Sequence, residues 1–146
     1  MEKKQLTNEI LISLLMLLFL YAGTMKILHF GTFKEEMAKQ IFPSRIYAWL
    51  LYLIPATELA VVSMLPFRKS RQIGLSISVT LMSLFLLYAI SAFTGLFPNR
   101  PCSCGGVISL LTWKQHILFD LFFVICSYRP LKQISTSQNF SPIPVQ

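Results

Sequence analysis

Residues 10–28 read ILISLLMLLFLYAGTMKIL, a run in which Lys26 is the only charge. A helix needs about 20 mostly apolar residues to cross the hydrocarbon layer of a bilayer, so this stretch is long enough to span one. Two further stretches meet the same condition, 46–66 with Glu58 as its only charge and 73–97 with none. A fourth, 113–128, is shorter and carries Lys114, His116 and Asp120. Tyr128-Arg129-Pro130 marks its carboxyl end, because an aromatic and a cation suit the headgroup layer and proline resists helix continuation. The expectation is an all-α membrane protein, a four-transmembrane-helix bundle occupying residues 1–132, followed by a disordered tail over 133–146 that is rich in Ser, Gln and Pro.

Composition agrees with the spans. Of the 146 residues 54% are hydrophobic and 13% charged, with a mean hydropathy of +0.60, which is outside the usual range of a water-soluble domain. The formal charge of +7 then reports topology and attraction to anionic headgroups, and with no nucleic-acid motif beside it a nucleic-acid partner is excluded. Met1-Glu2-Lys3-Lys4 before an apolar run has the look of a signal peptide. The run continues to Leu28 and Tyr21 stands where a small residue is needed for cleavage after Gly23, so it reads as a retained first helix.

Four spans place both termini on one side. Lys3, Lys4, Arg68, Lys69, Arg71, Arg129 and Lys132 share that side, against Lys34, Lys39, Arg45, Arg100 and Lys114 on the other. The dense Arg68-Lys69-Ser70-Arg71 loop makes the first side cytoplasmic, which puts both termini inside and the Cys102/Cys104 turn on the extracytoplasmic side. Between the first two spans, Thr32-Phe33-Lys34-Glu35 has capping-box spacing and predicts a short interfacial helix starting there and ending at Pro43. Phe33, Met37 and Ile41 recur at four-residue spacing on its apolar face, which lies on the membrane interface or covers the bundle. In the third span Ser76, Thr80 and Ser83 form a small-residue face suited to close helix packing.

The chemistry concentrates at Asn99-Arg100-Pro101-Cys102-Ser103-Cys104-Gly105-Gly106, a turn by composition. A disulfide between cysteines two apart closes a small ring under strain, which favours exchange over stapling, and Arg100 stabilises a thiolate. A fixed disulfide or two idle thiols is the plainer reading. Two Cys and His116 make an incomplete set for structural zinc. On the fourth helix His116 and Asp120 share a face, and helix rise brings Lys26 to about the depth of Asp120. Either these two pair, with His116 relaying protons to the cysteines, or Lys26 snorkels to headgroups and His116 caps an interface. Glu58 lies in mid-span and must face the bundle; Pro55 frees a carbonyl near it. By rise alone Lys26 stands about 10 Å shallower than Glu58, which argues against a direct pair. Cys126 reads as an apolar filler.

Gly23-Thr24-Met25-Lys26, Pro55-Ala56-Thr57-Glu58 and Cys102-Ser103-Cys104-Gly105-Gly106 followed by Trp113, His116 and Asp120 resemble the MauE branch of the DoxX-like bacterial membrane proteins. The resemblance covers about 14–128; that family usually carries Asn where this chain has Asp120. The resemblance implies a four-helix bundle in the bacterial cytoplasmic membrane and a role in methylamine utilisation, in maturing a disulfide-rich periplasmic protein beside a thioredoxin-like extracytoplasmic partner. The layout is also similar, at fold level only, to vitamin K epoxide reductase-like proteins, in which cysteines exchange electrons with a quinone. The reading is thus a possible thiol–disulfide oxidoreductase with Cys102, Cys104 and His116 as its reacting groups. Lys26, Glu58, Trp113 and Asp120 would line a site for a quinone, the one cofactor this reading admits. The alternative is a non-enzymatic assembly or anchoring subunit that uses the Cys turn for shape. Small-molecule transport is disfavoured by the scarcity of polar residues.

Overall fold

The computed structural model describes residues 2–39, 43–95 and 112–139. These fold into five helices, α1 (Glu2–Leu28), α2 (Phe30–Ala38), α3 (Ser44–Met64), α4 (Arg71–Phe93) and α5 (Trp113–Asn139), with no strand among the described residues. Three of them are long and apolar enough to cross a membrane, over Gln5–Leu28, Arg45–Met64 and Arg71–Phe93. Those agree with the first three expected spans. The fourth, 113–128, begins where α5 begins, but α5 does not reach the same apolar measure, so three spans stand where four were expected.

The helix ends depart from the hydropathy reading, each for a local reason. α4 stops at Phe93 rather than 97, because Gly95 takes φ 81°, a left-handed conformation that closes a helix and that glycine adopts without steric penalty. α5 runs straight through Pro130 to Asn139, so neither the stop at Pro130 nor the disorder expected from 133 holds over 133–139. Pro130 is fully buried, Leu131 and Ile134 pack on the core, and Asn8 donates to Gln133 Oε1. Tertiary contacts of this kind outweigh the hydrogen bond that a proline removes from a helix.

The capping box expected at Thr32 is not the start of α2, which begins two residues earlier behind His29. His29 N–H still donates to Met25 O at 2.9 Å and Phe33 N–H to His29 O at 3.0 Å. The chain bends at one residue without releasing the amides that a cap would serve. Phe33 and Met37 of α2 are buried against Leu51 of α3 as expected of a cover over the bundle, and Tyr47 Oη donates to Lys34 O at 3.1 Å; Ile41 lies outside the described residues.

The register between helices follows from a few contacts. Gly23 abuts Glu58 and Leu59, while Arg71 pairs with Glu9 and Asn8 with Gln133. α1, α3, α4 and α5 therefore alternate in direction. The amino end of α1 and the carboxyl end of α5 meet at one end of the bundle; the carboxyl end of α4 and the amino end of α5 lie at the other. From the Gly23 contact, α3 continues about nine residues, roughly 14 Å, beyond the level at which α1 ends. α2 covers that projecting part.

Inside, Ile12, Leu15 and Phe19 of α1 meet Val61 of α3 and Leu65 just after it, Leu75 and Met82 of α4, and Phe123 and Cys126 of α5. The face of α4 that packs is Gly74, Ser78, Met82, Ala89 and Ala92, whereas Ser76 and Thr80, expected to pack, are exposed. Gly74 sets the approach, since a Cβ there would stand 3.0 Å from Met64 Cβ. Outward-facing Leu17, Trp49, Leu87 and Leu118 are each more than half exposed. Such an apolar exterior suits a hydrocarbon solvent.

Candidate functional site

Six polar or charged side chains are buried among the described residues: Lys26, Glu58, Ser78, His116, Asp120 and Ser127. The two serines satisfy themselves, Ser78 donating to Gly74 O and Ser127 to Phe123 O, each at 2.8 Å. The four ionisable groups remain, and they fall into two pairs.

Lys26 Nζ donates to Glu58 Oε1 at 2.6 Å, with side-chain exposures of 3% and 1%. This overturns both expectations for Lys26: its partner is Glu58, not Asp120, and the two are not separated in depth. Rise per residue misjudged the geometry because it measured each helix from its own end. α1 ends level with the middle of α3, and the Cα–Cβ bond of Lys26 tilts toward the amino end of α1, that is, down toward Glu58. Gly23 makes the approach possible, since a Cβ at this position would meet Leu59 at 3.1 Å and Glu58 Cβ at 3.4 Å. The Lys26 ammonium also lies 5.9 Å from the centroid of the Phe85 ring of α4, within cation–π range.

The pairing leaves a remainder. Glu58 Oε2 is buried with no hydrogen-bond partner among the described residues. One turn before it, Pro55 sits inside α3 and has no N–H to give the Leu51 carbonyl. A buried carboxylate oxygen without a donor is costly, by about 1–3 kcal/mol or more, so this point of the bundle interior is chemically suited to a donor from outside the chain.

His116 and Asp120 face inward from the first turns of α5, with Nε2 and Oδ2 3.6 Å apart. That is within ion-pair reach though longer than a hydrogen bond. The start of α5 is fixed by Thr112, whose N–H and Oγ1 each lie 3.0 Å from Gln115 Oε1. This is the side-chain half of a capping box, and His116 N–H closes the first turn onto Thr112 O at 2.9 Å. The Thr-x-x-Gln spacing was in the sequence and sequence reasoning passed over it. Gly23, three residues before Lys26, was likewise visible without its packing role being evident.

Trp113 is the first residue of α5. Cys102 and Cys104 lie outside the described residues, in the chain segment joining α4 to α5. Cys126 is buried, with a free thiol, and belongs to the apolar core.

The family model described as methylamine utilisation protein MauE matches residues 4–131. The chain belongs to the MauE family. The matched region runs from α1 to just past Pro130 and contains Lys26, Glu58, both cysteines of the turn, His116 and Asp120. No curated protein and no solved structure gives a match to this MauE chain. Family membership and three apolar helices together make it an integral membrane protein associated with methylamine utilisation.

Proposed function

We propose that this MauE-family chain is a membrane thiol–disulfide exchange protein in which Cys102 and Cys104 cycle between dithiol and disulfide. In this reading α5 is the fourth span, both termini are cytoplasmic, and the Cys turn faces the extracytoplasmic side. The partner there is a thioredoxin-like protein, and the process is maturation of a disulfide-containing periplasmic protein. The observation that carries the reading is the burial of Lys26, Glu58, His116 and Asp120 in a bundle otherwise built for lipid. Ionisable groups within a membrane span are expensive and mark function.

Each residue has a role in the exchange. A thiolate of the partner attacks one sulfur of the Cys102–Cys104 disulfide, a mixed disulfide forms, and the second partner thiol displaces it, leaving the dithiol here and the disulfide on the partner. His116 takes and returns the thiol protons, since imidazole changes charge near neutral pH, and Asp120 orients it. Lys26 and Glu58 would hold a quinone, the Lys26 ammonium donating to a quinone carbonyl and Glu58 Oε2, which lacks a donor among the described residues, accepting from a hydroxyl of the reduced quinol. When bound it supplies a two-electron, two-proton couple for reoxidising the cysteines.

Trapping free thiols in cells with and without added reductant tests the cycle: the two cysteines should shift together between oxidised and reduced forms. Cysteines held in one state under every condition end the proposal. A Cys102→Ser, Cys104→Ser double variant should lose all activity in complementation, whereas full activity would identify the chain as an assembly or anchoring subunit.

A further inference from the structure

Two clefts open at the end of the bundle where the amino end of α1 meets the carboxyl end of α5. The Asn8–Gln133 contact lines both and separates them. The larger, 720 Å³, holds Arg68, Arg71 and Glu9, and its cationic character is partly answered from within: Arg71 binds Glu9 Oε1 at 2.6 Å and donates to Leu65 O at 3.0 Å. The other, 610 Å³, holds Lys3, Arg129 and Lys132 between Leu11 and Tyr128, with no carboxylate among the described residues that line it. None of these three cations is in a salt bridge among the described residues.

Depth makes this second cleft unusual. The apolar part of α1 begins at Gln5, and Gln133 of α5 is level with Asn8. Arg129, one turn earlier on α5, is therefore about 6 Å farther into the bundle, beside Leu11. Its Cα–Cβ bond tilts farther inward still, toward the amino end of α5. The guanidinium is exposed on the bundle surface at a level where the surrounding solvent is the boundary of the hydrocarbon. A cation so placed calls for an anion that itself arrives with an apolar tail.

We propose that the cleft between the first turns of α1 and the last turns of α5 seats the headgroup phosphate of an anionic phospholipid. Lys3, Arg129 and Lys132 are its cations, and Leu11 and Tyr128 form the wall along which an acyl chain leaves. Arg129 presents a planar donor fork to the phosphate oxygens. The two lysines add point charge from the solvent side. Tyr128 has the amphipathic ring that favours the headgroup boundary. The inference rests on α5 lying in the membrane beside α1, and is independent of whether the cysteines cycle.

Equilibrium binding of fluorescent phosphatidylglycerol to the full chain in zwitterionic detergent, against fluorescent phosphatidylcholine, tests it. Phosphatidylglycerol should bind preferentially, and an Arg129→Gln, Lys132→Gln double variant should weaken it about tenfold or more, from the loss of two charges near the headgroup. An Arg68→Gln, Lys69→Gln variant, with the same charge removed at the same end, should bind as the parent does. Inorganic phosphate should fail to displace the lipid. Parental affinity in the first double variant, equal loss in both, or full displacement by phosphate overturns the proposal. All four side chains are exposed, so melting should be unchanged; if the first variant does not fold, Lys3→Gln alone must lower the affinity, and parental affinity there overturns the site. Because the readout is lipid, a failed thiol cycle leaves it untouched.

Discussion

The Lys26–Glu58 and Glu9–Arg71 pairs have the same N–O separation, 2.6 Å, and both fasten α1 to a neighbouring helix, yet they sit in opposite surroundings. The first has side chains 3% and 1% exposed; in the second Glu9 is 57% exposed and Arg71 17%. Distance alone would rank them equal. Burial separates them, because removing two charges from water is expensive and is repaid only while both are present, whereas a solvated pair gives a screened attraction and loses side-chain entropy. The inner pair is thus a conditional arrangement in which either member alone is a liability. The outer pair is close to neutral when its exposed member, Glu9, is changed.

The largest effect should come from breaking the inner pair on one side. Lys26→Met leaves Glu58 buried without its partner and should lower stability by about 3–5 kcal/mol in detergent denaturation. Adding Glu58→Leu should restore most of that loss, giving a strongly non-additive double-mutant cycle. Two single variants that simply add would mean that the pair is not the unit described here.

An intermediate effect is expected from Gly23→Val, which places side-chain atoms where Leu59 and Glu58 already stand. Overpacking of this sort costs about 1–3 kcal/mol. Because it forces α1 away from α3, the Lys26–Glu58 coupling energy should shrink in the same background, and a coupling left at its parental value would separate Gly23 from the pair.

The smallest effect belongs to the outer pair. Glu9→Gln should change stability by no more than about 1 kcal/mol, and raising the salt concentration should reduce even that. A loss as large as that of Lys26→Met would show that proximity, not burial, governs ion pairs in this bundle.

The inner pair also marks where sequence reasoning misjudged distance. Lys26 and Glu58 were each recognisable as charges that must turn inward, because they interrupt apolar runs. Their pairing was not, since depth was counted from expected helix ends while α3 projects well past the end of α1. The same dependence on helix ends explains α5. Proline and a basic aromatic boundary argued for a stop at Tyr128-Arg129-Pro130, but Pro130 is buried and the turns beyond it are held by Leu131, Ile134 and the Asn8–Gln133 contact. On α4, any of several small-residue faces fits the sequence, and Gly74, Ser78 and Ala89 are chosen over Ser76 and Thr80 by the helices that pack on it, α5 along most of its length and α3 at Gly74, which abuts Met64.

What the sequence determined by itself is the helical, lipid-adapted nature of the chain, the inward direction of its few charges, and the family pattern that includes the Cys turn. Those follow from local quantities, namely the length of an apolar run, the price of an isolated charge in it, and residues at fixed spacing. What only the tertiary structure decided is which charge meets which, how far α1 and α5 extend, and which face of α4 packs. Each of these depends on the relative register of helices far apart in the chain. That register is set by close contacts such as Gly23 on Leu59 and Gly74 on Met64, whose partners no reading of one helix at a time can supply.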